Sequence, residues 1–150
     1  MDMNDLLKLL KDQHQLLHAF HDTIVLQQKV IINNDVKGLE ETIKTEGALL
    51  INIELYEKHV EEVIKQLSEK YGIKNSSGKL SEFVDAIKVK REINSINLLK
   101  LQSSLQKIVS NTVRVNNQNK MLIDQARYFI RETIAALVNK NHTSILDRKV

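Results

Sequence analysis

Residues 98–136 read LLKLQSSLQKIVSNTVRVNNQNKMLIDQARYFIRETIAA, and this stretch decides the fold. Apolar or small residues recur along it in steps of three and four, the spacing that places them on one face of a helix packed against other helices. The stretch therefore predicts one long helix with coiled-coil-like packing. We call this face the seam of the last helix; its positions are Leu98, Leu101, Leu105, Ile108, Thr112, Val115, Asn119, Leu122, Ala126, Phe129, Thr133 and Ala136.

The same spacing predicts two more long helices before this one. The first runs from Leu6 and ends near Asn33-Asn34-Asp35, where short polar side chains compete with the backbone and Asp35 can cap the next helix. The second continues to Tyr71-Gly72, and Gly72 suits the position after a helix C-terminus. A tight reversal is expected between these two helices.

A polar, glycine- and serine-containing segment at 73–79 predicts a loop, and Leu80 to Ile87 predict a short helix after it. We expect the last helix to fray near Asn139-Lys140-Asn141, leaving 139–150 as a flexible tail. The chain has no proline and only four glycines, so helix breakers are scarce. The prediction is one all-α domain over 1–150, an elongated antiparallel bundle of three long helices and one short helix.

Composition indicates a soluble cytoplasmic protein. The chain has no cysteine, so it has neither disulfides nor thiolate metal ligands. Charged residues interrupt the leucines of the first turns, which is unlike a secretory signal. No apolar run approaches the roughly 18 residues that a spanning helix needs, so we expect no membrane insertion.

The charges are divided between the two halves of the chain. Residues 1–71 hold 8 lysines and 13 acidic residues, a net charge of −5, whereas the remainder holds 14 basic and 6 acidic residues, a net charge of +8. Pairing of the halves within one bundle explains this division, and the basic half can also steer an acidic partner. Nucleic-acid binding is disfavoured because the basic residues are spread along the helix without stacking aromatics.

No catalytic or cofactor-binding motif is present: there is no Gly-rich phosphate loop, no zinc-protease motif and no nucleophile elbow. His14, His18 and His21 share one helix face, which suggests a metal site. Metal sites in bundles draw ligands from several helices, however, and no Glu-x-x-His pair exists elsewhere. We therefore expect a non-enzymatic protein without catalytic residues, cofactor or metal.

Two features of the last helix admit alternative interpretations. Asn119 at a seam position either fixes helix register, which we favour, or contacts a partner backbone. Phe129 is expected to anchor the core. Further apolar residues lie off the seam and either widen the core contact or form a binding face or dimer interface; near the helix end they are Met121, Ile123, Tyr128, Ile130, Ile134, Leu137 and Val138.

Residues 119–137, NKMLIDQARYFIRETIAAL, resemble the C-terminal signature of the FlgN family of flagellar export chaperones. The matching residues are Asn119, Leu122, Ile123, Gln125, Phe129, Ile130 and Leu137. Ala126 stands where the family has serine, and Arg127 where it has an aliphatic residue. The turn at Asn34-Asp35-Val36 also resembles the family's turn, whereas Leu146 and Val150 replace the tyrosine and glycine of its tail.

The resemblance implies a cytoplasmic chaperone that binds hook-filament junction proteins and delivers them to the flagellar type III export gate. Partner binding is then expected on the last helix, at Asn119, Leu122, Ile123, Ala126, Phe129, Ile130, Thr133 and Leu137. The alternative is a structural coiled-coil interaction or dimerisation module, a homodimer without an export client.

Overall fold

The computed structural model describes residues 2–74, 77–89 and 95–147, with side chains up to residue 140. Over these residues it contains four α-helices and no strand: α1 (Met3–Ile32), α2 (Val36–Tyr71), α3 (Leu80–Val89) and α4 (Ser95–Asp147). The predicted all-α class, with three long helices and one short helix, is confirmed. Within the described part of the chain, no helix is both long and apolar enough to cross a membrane.

Local hydrogen bonds explain where α1 begins. The Asp2 carboxylate accepts from the backbone N–H groups of Asn4 at 2.7 Å and Asp5 at 3.0 Å, and the Asp5 carboxylate accepts from the Asp2 N–H at 2.8 Å. This reciprocal capping box satisfies amides that have no partner within the helix. The two backbone donors, from Asp5 first and then Asn4, lower the pKa of Asp2 because they stabilise its charged form.

The turn between α1 and α2 lies where the sequence predicts it. Asn34 adopts a left-handed conformation with φ of 53°, which asparagine tolerates better than most residues. The Asp35 carboxylate then caps α2 by accepting from the Gly38 N–H at 2.9 Å. Gly72, with φ of 61°, ends α2 as predicted.

The predicted end of α4 was wrong. The helix continues through Asn139-Lys140-Asn141 to Asp147, since no glycine or proline interrupts this segment. The mobility of 139–150 stays a prediction.

The three long helices run up, down and up, with α1 between the other two. Gln27 of α1 meets Glu46 of α2, whereas Leu9 lies beside Val63, so α1 and α2 are antiparallel. Contacts between α1 and α4 occur at increasing residue numbers on both helices, so these two helices are parallel. No Cα atoms of α2 and α4 lie within 8 Å of each other over the described residues. A groove therefore runs between α2 and α4, and α1 forms its floor.

The short helix α3 fills one end of this groove and closes the core. Its apolar face packs with residues from all three long helices at the end of the bundle that holds the N-terminus. The fully buried residues of this core are Leu6, Leu10, Val63, Ile64, Leu67, Phe83, Val84, Ile87 and Leu98. The main hydrophobic core of the protein therefore lies at this end of the bundle.

Replacing Phe83 with alanine is expected to lower the free energy of unfolding by about 3 to 5 kcal/mol, because the fully buried ring leaves a cavity. Urea denaturation followed by circular dichroism measures the change. Val89→Ala at the other end of α3 is the control, since Val89 is 84% exposed and its loss is expected to change stability by no more than about 0.5 kcal/mol. Equal effects of the two substitutions would contradict this packing of α3.

Candidate partner-binding surface on the projecting helix

Nearly half of α4 extends beyond the other long helices. Contacts near the end of α1 include Asn119 to Ile24 and Gln28 to Gln118, and α1 ends at Ile32. Every side chain from 124 to 140 is exposed. At about 1.5 Å per residue, the helix continues for roughly 36 Å from residue 124 to its end. We call residues 124–147 the projecting segment.

The seam of α4 continues along the projecting segment, where no other described residue covers it. At about 100° per residue, eight mostly apolar side chains fall within roughly 140° of the helix circumference. Leu122 and Ile123, where the segment leaves the bundle, are half-buried, and those that follow are exposed. We call this set the apolar stripe; its members are Leu122, Ile123, Ala126, Phe129, Ile130, Thr133, Ile134 and Leu137.

The prediction that Phe129 anchors the core was wrong. Its side chain is 71% exposed, so it is no core anchor, although it occupies a seam position. Ala126 and Thr133, at neighbouring seam positions, are exposed too. The reason is that α1 has already ended at Ile32, so no helix within the described part of the chain lies opposite them.

The expected partner-binding residues thus divide into one buried residue and a connected surface. The side chain of Asn119 lies inside the bundle, whereas Ile130 and Leu137 are 55% and 57% exposed. The Thr133 hydroxyl donates to the Phe129 carbonyl at 2.8 Å, so its polar group is already bonded to the helix. Ile134 belongs to the same surface, and we missed it as a site residue because it is neither a seam position nor a match to the family signature.

Asn119 belongs to a polar layer that crosses all three long helices. Its Nδ2 donates to the Ile24 carbonyl at 3.0 Å and to Gln27 Oε1 at 3.3 Å. Gln27 Nε2 in turn donates to the Glu46 carboxylate at 3.0 Å. Asn119 is only 1% exposed, so this geometry favours the register role over direct contact with a partner.

The three histidines lie along α1, and His21 contacts α4. The rings of His14 and His18 lie 4.7 Å apart in an edge-to-face arrangement, and His21 Nδ1 is 3.0 Å from the Thr112 hydroxyl. Burial lowers the pKa of His14, and the nearby charge of His18 lowers it further. Among the described residues, no group of three or more histidines and acidic residues is arranged to hold a metal ion.

The groove between α2 and α4 was not predicted from sequence. Next to the start of α3 it contains an open cavity of about 390 Å³, whose apolar walls include Leu17, Val60, Leu105 and Val109. The spacing of apolar residues within one helix does not indicate whether α2 and α4 contact each other, so the sequence could not predict this groove.

Introducing a charge into the polar layer with Asn119→Asp is expected to lower the free energy of unfolding by about 3 to 5 kcal/mol near pH 7, because a buried carboxylate would lack a cationic partner. Burial raises the pKa of such a carboxyl in the folded state. The deficit should therefore shrink as the pH falls below this raised pKa, and it should be smallest below about 3.9, the pKa of an exposed aspartate, where both states are protonated.

Thermal melts at several pH values measure this deficit, with Asn117→Asp as the matched control. Asn117 is exposed on the same helix, so its substitution should have little effect at any pH. A pH-independent deficit in Asn119→Asp would contradict the burial of this layer.

Truncation after Ile123 is expected to leave the melting temperature of the bundle almost unchanged. The removed side chains that the structure describes are all exposed, and exposed positions contribute within about 0.5 kcal/mol. Circular dichroism should lose the helical signal of the projecting segment while the transition stays in place. A large fall in melting temperature would show that this segment stabilises the bundle.

Comparison with known proteins identifies the family of this chain. A scan against protein-family models matches residues 1–146 to the family described as FlgN protein. Searches of curated proteins and of solved structures each return no match. Because the family match covers nearly the whole sequence, the chain belongs to the FlgN family of flagellar export chaperones.

Proposed function

We propose that this chain binds hook-filament junction proteins in the cytoplasm and delivers them to the flagellar type III export gate. Family membership supports a role in flagellar export, and the observation that carries the binding step is the unpartnered apolar stripe. An exposed apolar surface of this kind marks a site of protein interaction.

The stripe suits a client segment that is itself an amphipathic helix. Such a helix can lie along Ile123, Ile130 and Leu137 and bury its own apolar face, the recognition mode in which a helix fills a complementary surface. Covering the client in this way prevents its premature assembly. The contact requires no ATP, metal or cofactor, in keeping with a chaperone rather than an enzyme.

The bundle holds the stripe in position. The polar layer around Asn119 fixes the register of α4 against α1, and the projecting segment is already helical. A preformed helix loses less conformational entropy on binding than a segment that folds on its partner. The client is therefore expected to bear most of the ordering cost.

A structural module that dimerises through the same stripe is the second candidate. Its support is the same exposed surface, because a second copy of α4 can cover the stripe as well as a client helix can. Light scattering of the chain alone and with a junction protein separates the two functions. A stable homo-oligomer indifferent to junction proteins would favour the structural module.

Ile130→Asp is expected to abolish binding of a hook-filament junction protein, a loss of at least about 2 kcal/mol or roughly 30-fold in affinity, because the substitution puts a charge in the centre of the stripe. Isothermal titration calorimetry measures the affinity. Helical content and melting temperature should stay near wild type, since Ile130 is exposed.

Tyr128→Asp is the matched control, because Tyr128 is 67% exposed on the opposite face of the same turn. This variant should bind normally. Full affinity of Ile130→Asp, or intact binding after deletion of 119–150, would move the recognition surface to the first two helices.

A further inference from the structure

The charges beside the apolar stripe are distributed unequally between its two edges. At about 100° per residue, Lys120, Arg127 and Arg131 fall within roughly 40° of one another, beside Ile123 and Ile134. All three basic side chains are exposed, and they cover roughly 16 Å along the helix. We call these three residues the basic edge.

The other edge of the stripe has a different composition. Gln125, Glu132 and Ala136 follow the Phe129 side, and Lys140 lies near this edge at its far end. Asp124 is the one acidic residue close to the basic edge, which keeps a net charge of +2. The electrostatic potential along the first half of the projecting segment is therefore positive on one side only.

The basic edge is not neutralised within the part of the chain that the structure describes. Neither Lys120, Arg127 nor Arg131 forms an ion pair or a side-chain hydrogen bond there. The acidic residues of α2 lie within the bundle, because α2 runs back from the turn at Asn33-Asn34-Asp35, whereas the projecting segment extends away from it. Three exposed cations beside an unpartnered apolar surface lack the counter-charge that pairing of the two halves was expected to provide.

We propose that the occupant of the stripe is an amphipathic helix of a partner protein that carries acidic side chains along one edge. This inference rests on the proposed function and specifies the partner's chemistry. The stripe spans roughly 23 Å from Leu122 to Leu137, so the partner helix has about 15 residues in contact. Its carboxylates lie against Lys120, Arg127 and Arg131 and fix which way the helix lies on α4.

The one-sided charge favours a helix over other anionic partners. A helix lying on a membrane surface uses a polar face rich in cations opposite its apolar face, whereas here the opposite face presents Tyr128 and Met121, which are 67% and 62% exposed. Nucleic acid would use the cations but leave the stripe uncovered. A partner helix uses both the apolar stripe and the basic edge.

Two synthetic helical peptides of about 18 residues test the inference with the full chain. They share one leucine-rich stripe and differ at one edge, which holds three glutamates in one peptide and three lysines in the other. Reversing the direction of a helix exchanges its edges, so one acidic-edged peptide can satisfy the contact in one of its two orientations. Fluorescence anisotropy at about 50 mM salt, where screening is weak, measures both affinities.

The acidic-edged peptide is expected to bind about tenfold more tightly than the basic-edged peptide, which corresponds to about 1.4 kcal/mol. The preference should reverse in the Arg127→Glu/Arg131→Glu double variant and shrink at high salt. Lys107→Glu/Arg114→Glu is the matched control: these exposed cations lie on α4 away from the stripe, and the preference should persist.

Equal binding of both peptides, or an unchanged preference in the Arg127→Glu/Arg131→Glu variant, would overturn the inference. If the peptides bound without this charge preference but binding was still lost in Ile130→Asp, the stripe would remain a helix-binding surface. The proposed function would then stand. Absence of binding by either peptide, together with normal client binding by Ile130→Asp, would overturn both. Binding to phosphatidylserine vesicles that depends on Arg127 and Arg131, without discrimination between the peptides, would also overturn the inference and assign the basic edge to a lipid surface.

Discussion

The turn at Asn33-Asn34-Asp35 is the constraint on which the rest of the arrangement depends. It ends α1 at Ile32 and starts α2 at Val36, so the bundle stops at this level, while α4 continues to Asp147. Seam positions of α4 before the level of this turn lie against α1, as Thr112 and Asn119 do, whereas the described seam positions from Ala126 onward are exposed. The exposed stripe is a consequence of unequal helix lengths and needs no unusual residue on α4 itself.

The polar layer beneath this turn determines which part of α4 is exposed. A purely apolar seam with a regular three-four spacing packs almost equally well when one helix slides by two turns along another. Asn119 opposes such a slip, because another register would separate its Nδ2 from the Ile24 carbonyl and Gln27. Its Oδ1 is buried and accepts no hydrogen bond from any residue that the structure describes, so the layer costs stability. That cost is consistent with a residue retained for alignment rather than for strength.

Periodicity predicted the helices but not the surroundings of their faces. It located α1, α2 and α4 because helical amphipathicity is a local property of the sequence, and the turn residues Asp35 and Gly72 fixed two boundaries. It failed at Phe129, because the same three-four spacing arises whether the covering helix belongs to this chain or to another protein. The groove beside α3 depends on the placement of α2, α3 and α4 in space, which no single-helix pattern encodes.

The stripe also stays available because α4 has no point at which to fold back. The four glycines are at positions 38, 47, 72 and 78, and the chain has no proline, so nothing in α4 favours a sharp kink. Covering the stripe with the chain's own groove would require breaking a continuous helix, with loss of its backbone hydrogen bonds near the bend. A partner helix can cover the same surface without that loss. The absence of helix breakers that makes the fold readable from sequence therefore also keeps its apolar stripe exposed for intermolecular contact.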